Sequence, residues 1–197
     1  MNTLKAEKRD MSIKAKKLRR EGFVTGNLFG RELEDSIPLK FDKGEIEKLL
    51  KVENKGGQVM LEVAGETYDA LIKEVDYNPL KGYVDEIDFQ ALVSTEKVHS
   101  VAEIHLVTLE KLSSGVPQQM LQEISFKALP AALVEKVEVD VGPLKIGDTI
   151  RVADLPIAKD KDVDLMTDLD ATVVTITEVH VKASDLTSDE EEEEAAE

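Results

Sequence analysis

The sequence predicts a mainly β protein, and two patterns support that prediction. Apolar and polar residues alternate over most of the 197-residue chain, with the period of a half-buried strand. Turn residues interrupt the alternation, as in Ala64–Glu66 and Asn78–Gly82, where Gly and Asn accept positive φ and Pro fixes φ. The expected architecture is an N-terminal β domain with two short helices, a second β-rich domain and a disordered acidic tail.

The N-terminal half holds six strand-like runs separated by turns or helical segments. They are Thr3–Arg9, which alternates loosely, Phe23–Phe29, Ser36–Phe41, Gln58–Val63, Thr67–Val75 and Tyr83–Leu92. Asp10 or Ser12 can cap a first helix that reaches Arg20, with Gly22 as its stop. Apolar residues at helical spacing predict a second helix within Asp42–Val52.

The polar stretch Ser94–Lys97 is the expected domain boundary, because it lies between two strand-like runs. Further strands are expected near Val98–Thr108, Met120–Ala128, Lys136–Val141, Asp148–Val152 and Ala171–Val181. Ser113–Pro117 carries the composition of a loop. We therefore expect one domain over residues 1–92 and another over residues 97–183.

Charge is distributed unevenly along this acidic chain, whose net charge is −16. The first twenty residues hold eight Lys or Arg against two acids, whereas residues 93–197 hold 9 basic and 23 acidic residues. Such asymmetry is typical of a protein whose one end meets a polyanion. Residues 184–197 include five consecutive Glu and cannot bury enough apolar area to fold, so they are expected to be disordered.

The first helix is the expected contact with that polyanion. On a helical wheel Met11, Ala15 and Leu18 share one narrow arc that can lie on the β domain. The cations lie on the other sides of the wheel: Lys14, Lys16, Lys17, Arg19 and Arg20. Phosphate groups bind such a cationic surface favourably, because binding releases counterions and Arg can make bidentate hydrogen bonds. A solvated basic face without a partner is the alternative.

Composition disfavours an enzyme and a bound cofactor. The chain has no Cys, and its three His, at positions 99, 105 and 180, lack metal-ligand spacing. There is no Gly-rich phosphate loop and no nucleophile elbow. Asp160–Asp164 has the alternate-acid spacing of a calcium loop, but the sixth position is not Gly and the twelfth is Ala171, which favours a solvated loop. We expect no metal, cofactor or small-molecule substrate.

The expected location is the cytoplasm. No apolar run approaches the length that spans a bilayer, and the basic N-terminus has no apolar core of signal-peptide length.

Five segments of the first ninety residues resemble the bacterial large-subunit ribosomal protein that binds 5S rRNA. They are Leu4–Arg9 (LKAEKR), Lys17–Gly22 (KLRREG), Gly26–Gly30 (GNLFG), Leu71–Gly82 (LIKEVDYNPLKG) and Glu86–Phe89 (EIDF). Four later segments are similar to the long two-domain form, also called general stress protein CTC: Leu121–Glu123, Ala128–Pro130, Val137–Val141 and Leu144–Leu155. Their order and spacing carry the resemblance.

The resemblance implies a six-stranded barrel, like the anticodon-binding domains of glutaminyl-tRNA synthetase, followed by a β-rich domain. It implies a non-enzymatic protein of the large subunit that docks on the loop E region of 5S rRNA, with neighbouring ribosomal proteins as candidate contacts of the second domain. The matching RNA-contacting positions are Arg9, Lys14, Arg19, Arg20 and the carboxylate Asp88. With two further helix cations and an aromatic ring, the expected RNA-binding set also contains Lys16, Lys17 and Phe29.

Four positions depart from the family pattern. Phe29 stands where Tyr is usual, Glu86 where His is usual and Asp76 where Gln is usual, while Lys16 replaces a small hydroxyl residue. Each extra carboxylate would oppose a nearby phosphate by about 1 kcal/mol. The alternative function is therefore a diverged paralogue that acts as a stress-related protein-interaction module with weak RNA binding, and a carboxylate enzyme ranks third.

Overall fold

The computed structural model describes residues 2–112 and 115–178, so the tail expected at residues 184–197 lies outside the described residues. The first half contains β1 (Asn2–Lys8), α1 (Ala15–Arg20), β2 (Phe23–Phe29), β3 (Ile37–Asp42), α2 (Lys43–Leu49), β4 (Gln58–Val63), β5 (Glu66–Asn78) and β6 (Tyr83–Ala91). The second half contains β7 (Val98–Val107), β8 (Val116–Gln119), β9 (Glu123–Ala128), β10 (Lys136–Asp140), β11 (Thr149–Arg151), β12 (Val163–Leu165) and β13 (Thr172–Thr177). No helix in these ranges is long and apolar enough to cross a membrane.

The structure confirms a mainly β protein that begins with a six-stranded barrel. The strands close in the order β1-β3-β2-β6-β5-β4, and β1 completes the ring by pairing antiparallel with β3 and parallel with β4. Alternate residues of each strand point inward, so Leu39 and Phe41 of β3 are buried beside Ile87 and Phe89 of β6. The Phe41 and Phe89 ring centroids lie 5.4 Å apart at the centre of this core.

Gly26 is required by the close approach of β2 to β6. A Cβ at this position would lie 1.9 Å from the backbone oxygen of Ile87, a distance that no side chain can accept. The two strands run parallel here, with Thr25 opposite Glu86 and Leu28 opposite Phe89. A strand glycine therefore marks a place where two backbones meet.

The second helix agrees with its sequence signals, and the first helix is shorter than expected. Asp42 caps α2 by accepting hydrogen bonds from the Gly44 and Glu45 amides at 2.8 and 3.2 Å. Asp10 instead accepts from the Ser12 amide at 2.8 Å, so it closes a turn before α1. Hydrogen bonding by the Ser12 side chain, followed by this amide bond, lowers the pKa of the Asp10 carboxyl.

The second half forms two open sheets, with strand orders β10-β7-β9-β12 and β11-β13-β8. Its core contains Ile124 and Phe126 of β9 together with Val173 and Val174 of β13. Two short strands were missed: β8 extends into the expected Ser113–Pro117 loop, and β12 lies at the end of the expected acidic loop. Runs of four and three residues show little alternation, so β8 and β12 were not recognised, although β11 is as short and lies within the strand expected at Asp148–Val152. Pairing with β13 and β9 holds β8 and β12.

Close contacts join the barrel to the second domain. The Asn54 side-chain amide donates to Glu103 of β7 at 2.7 Å. Gly56, at φ +88°, lies so close to β7 that an added Cβ would be 2.1 Å from the Val101 backbone oxygen. The segment between α2 and β4 is therefore one part of the barrel that contacts β7.

Candidate nucleic-acid interface

One outer face of the barrel is formed by β2 and β6. Thr25, Asn27 and Phe29 alternate along β2 with residues that enter the core, and Glu86 and Asp88 do the same on β6. The strands pair with Thr25 opposite Glu86, which sets these side chains in neighbouring rows. Phe29 and Asp88, two of the expected RNA-binding residues, thus share one surface.

Helix α1 lies against β2 beside this face. Leu18 is its one buried side chain in the described structure, at 4% exposure, and such burial stabilises the contact by about 2 kcal/mol. Met11 was expected to join the apolar arc but is 68% exposed, because it precedes the helix. The exposed side chains of α1 are Lys16, Lys17 and Arg20, and Lys14, its N-cap residue, is also exposed.

Arg19 fastens α1 to the strands. Its Nε donates to the Asp85 backbone oxygen at 2.9 Å, and its Nη2 donates to Thr25 Oγ1 at 3.2 Å and to Glu86 Oε2 at 3.0 Å. These bonds use the Nε and Nη2 hydrogens. Nη1 donates no hydrogen bond within the described residues, so the guanidinium is oriented with one side available to a ligand.

Asp88 is oriented by its neighbour on β2. Its Oδ1 accepts hydrogen bonds from the Asn27 backbone amide at 2.9 Å and from the Asn27 side-chain amide at 3.1 Å. Oδ2 accepts none among the residues described, which leaves an acceptor directed by a fixed carboxylate. Phe29, two residues beyond Asn27 on the same face, presents a ring that is 37% exposed.

Arg9 occupies a different position, at the junction of β1 and β3. Its backbone amide donates to the Pro38 oxygen at 2.8 Å, and its Nη2 donates to the Ile13 oxygen at 3.3 Å. Pro38 of β3 lies opposite Asn27 of β2. Arg9 is therefore separated from the Asn27–Asp88 pair by the width of one strand. Its Nε is buried without a hydrogen-bond partner among the described residues.

An acidic strip borders the cations. The β5–β6 register sets Glu74 opposite Asp88 and Asp76 opposite Glu86, and these four carboxylates line a depression of about 400 Å³. Like charges directly opposite each other destabilise a strand pair. The ion pair between Arg19 and Glu86 offsets part of this repulsion. Asp76 on β5 and Glu86 on β6, the two carboxylates that depart from the family pattern, both lie at this face.

Sequence reasoning missed the residues that orient the site. Thr25 and Asn27 were not singled out, although both hold a candidate RNA-binding side chain. Alternation along β2 predicts that Thr25 and Asn27 lie on the outer face, so the sequence alone could have identified them. Their partners across β6 depend on register, which alternation does not determine.

The acidic loop of the second domain has ordinary surface partners. The Asp160 carboxylate accepts from the Asp162 amide at 3.0 Å, and Asp164 pairs with Lys97 at 2.6 Å. No group of three or more His, Cys, Asp or Glu side chains in residues 2–112 and 115–178 is arranged to hold a metal ion.

Comparison with known proteins identifies both halves of the chain. Residues 4–89 match the Ribosomal L25p family, and residues 97–180 match the family described as ribosomal protein TL5, C-terminal domain. The chain is 30% identical over 177 residues to the large ribosomal subunit protein bL25 of Caldanaerobacter subterraneus, covering 88% of each protein. It is 32% identical to bL25 of Exiguobacterium sibiricum, covering 92% of this chain and 81% of that protein.

A relative with a different name shows similar resemblance. The general stress protein Ctc of Bacillus subtilis is 30% identical over 164 residues, which cover 81% of this chain and 80% of that protein. The barrel and the domain that follows it therefore match relatives along most of their length, and the chain belongs to the bL25 family of large ribosomal subunit proteins.

Proposed function

We propose that this chain is a non-enzymatic, ribosome-associated protein of the cytoplasm that binds the loop E region of 5S rRNA through its barrel. One observation carries the proposal: α1 and the Asn27–Asp88 pair meet at a single barrel face. The expected RNA-binding residues remain Arg9, Lys14, Lys16, Lys17, Arg19, Arg20, Phe29 and Asp88.

The chemistry of this face suits an irregular RNA helix. The exposed cations of α1 can neutralise phosphates, which gives affinity but no sequence information. The free Oδ2 of Asp88 can accept from a ribose 2′-hydroxyl or a base amino group, and the Phe29 ring can stack on an exposed base or pack against a ribose. A carboxylate beside cations favours an RNA that turns a hydroxyl or amino group towards it and disfavours one that turns a phosphate there.

The test is binding of the full chain to a loop E fragment and to a regular RNA duplex of equal length, each over a range of salt concentrations. We expect tighter binding to loop E. Lys17→Ala should lower affinity several-fold and reduce the salt slope by about 0.7–0.9 for one lost phosphate contact. Lys159→Ala, which removes an exposed cation of the second domain, is the matched control. Equal affinity for loop E and the duplex would refute a specific site.

The acidic strip favours a second candidate, a protein-interaction module related to the stress protein Ctc. Glu74, Asp76 and Glu86 would weaken contacts with phosphate. The double variant Glu86→His, Asp76→Gln separates the two functions. Tight loop E binding by the unmodified chain supports the ribosomal function. Undetectable binding that appears only in the double variant supports the module.

A further inference from the structure

A second cationic site lies where β5 of the barrel meets β7 and β9 of the second domain. A cavity of about 360 Å³ opens there, with Lys55, Lys73, His99, Ser100 and Ser125 among its lining residues. The positive φ of Gly56 and its missing side chain let the barrel approach β7 closely enough to enclose this space. Cations gathered in a concave junction are unexpected in a chain of net charge −16.

The charged groups around the cavity come from β5, β7, β9 and the segment between α2 and β4. Lys73 of β5 donates to the His99 backbone oxygen at 2.8 Å, and Lys127 of β9 lies directly opposite His99 of β7. Lys55 makes a long ion pair, at 3.7 Å, with Glu123 of β9. Glu74 is the one carboxylate that lines the cavity itself. The cavity and its rim therefore carry three lysines and one histidine against two carboxylates, Glu74 and Glu123.

Burial, and after it the neighbouring cations, lower the pKa values of two of these groups. Desolvation and the charge of Lys55 lower the pKa of Lys73. Desolvation, Lys127 and Lys73 lower the pKa of His99. An anion held among them would relieve the repulsion and raise both values.

We propose that this junction site, lined by Lys55, Lys73 and His99 with Lys127 opposite His99 at its rim, binds a phosphate group, supplied by free phosphate or by an RNA backbone. The ammonium groups provide charge, and the hydroxyl of Ser125 provides a neutral donor of the kind that phosphate oxygens accept. The site goes beyond the loop E proposal because it uses none of the residues assigned there.

The first test is a titration of the full chain with sulfate, followed by NMR of the histidine rings. Sulfate keeps its charge between about pH 5 and pH 8, where His titrates, so it isolates the protein's response. We expect saturable movement of the His99 signals and a rise in the pKa of His99. His105, which pairs with Glu103 farther along β7, is the internal reference, and sodium chloride of equal ionic strength is the control for screening. No response, or an equal response of both rings, would overturn the proposal.

The second test removes one charge without disturbing the Lys73 bridge between the domains. Lys127→Gln should weaken sulfate binding about fivefold, the effect of one close unit charge in a partly exposed site. Lys161→Gln removes an exposed lysine of the second domain and should leave sulfate affinity unchanged. Equal affinities of both variants and the unmodified chain would refute the site.

The third test distinguishes the two sources of phosphate. If RNA supplies the group, Lys127→Gln also lowers the affinity for 5S rRNA and reduces its salt slope by about 0.7–0.9. If free phosphate supplies it, inorganic phosphate moves the His99 signals as sulfate does, while RNA affinity is unchanged. Either result supports a phosphate site, and a lack of response in both arms contradicts it. Since sulfate binding needs no RNA, failure of the loop E proposal would leave this test intact.

Discussion

The barrel and the second domain reach a β fold in different ways. The barrel uses six strands of 6 to 13 residues, and each strand has a neighbour on both sides. The second domain spreads seven strands of 3 to 10 residues over two open sheets. Because the ring of strands is closed, the barrel backbone has little freedom to move around a new side chain, whereas short strands at sheet edges can shift. The two regions should therefore respond differently to the same kind of substitution.

Gly26→Ala should give the largest effect, because its Cβ would lie 1.9 Å from the Ile87 backbone oxygen inside the closed ring. We expect a loss of about 3–5 kcal/mol in the free energy of unfolding, measured by urea denaturation. Gly147→Ala in the second domain is the matched control. Unlike Gly26 it sits at positive φ, but nothing lies within 4 Å of the added Cβ, so its cost should be about 1 kcal/mol. Similar losses for both variants would contradict the comparison.

The same contrast explains how much of the fold the sequence predicts. Strands such as β4 and β6 alternate over enough residues to be recognised, and the Asp42 cap identifies the start of α2. Closure is not visible in alternation, because it depends on parallel pairing of Asn2 with Val59 across the first half of the chain. It was expected only through the family resemblance.

The candidate site, like the fold, is predicted from the sequence only in part. The basic side of α1 follows from helical spacing, and the wheel correctly buries Leu18. The bond from Arg19 to Glu86 could not be predicted, because it depends on where α1 lies along β6. The sequence therefore indicates the type of ligand but does not reveal which cations are already held by the protein.

Arg19→Ala and Arg20→Ala test that distinction with an intermediate effect. Removing Arg19 takes the donor from Glu86 and leaves the Asp85 oxygen with the longer bond from the Thr25 hydroxyl, at 3.4 Å, so stability should fall by about 1 kcal/mol after allowance for solvent exposure. Arg20 is exposed, and its loss should change stability by less than about 0.5 kcal/mol. Both variants should weaken loop E binding about tenfold. Equal thermal stability of the two variants would contradict the fastening role of Arg19.

Glu135→Gln should give the smallest effect, at the contact between barrel and second domain. Burial, followed by a hydrogen bond and the charge of Glu135, raises the pKa of the Glu53 carboxyl. A raised carboxyl pKa means that the folded state holds a proton more tightly than the unfolded state. The unfavourable contribution is therefore present at neutral pH and disappears as pH falls to the ordinary Glu value of 4.5.

Glutamine at position 135 removes the like charge and keeps an oxygen for the backbone amide of Gln58, which donates to Glu135 Oε1 at 3.4 Å. We expect the melting temperature to rise by about 1 °C at pH 7 and to be unchanged near pH 4, as measured by calorimetry. Glu138→Gln, an exposed position on β10, controls for the change in net charge. A gain of equal size in the control would mean that the chain's overall negative charge, and not the Glu53–Glu135 contact, weakens the folded state at neutral pH.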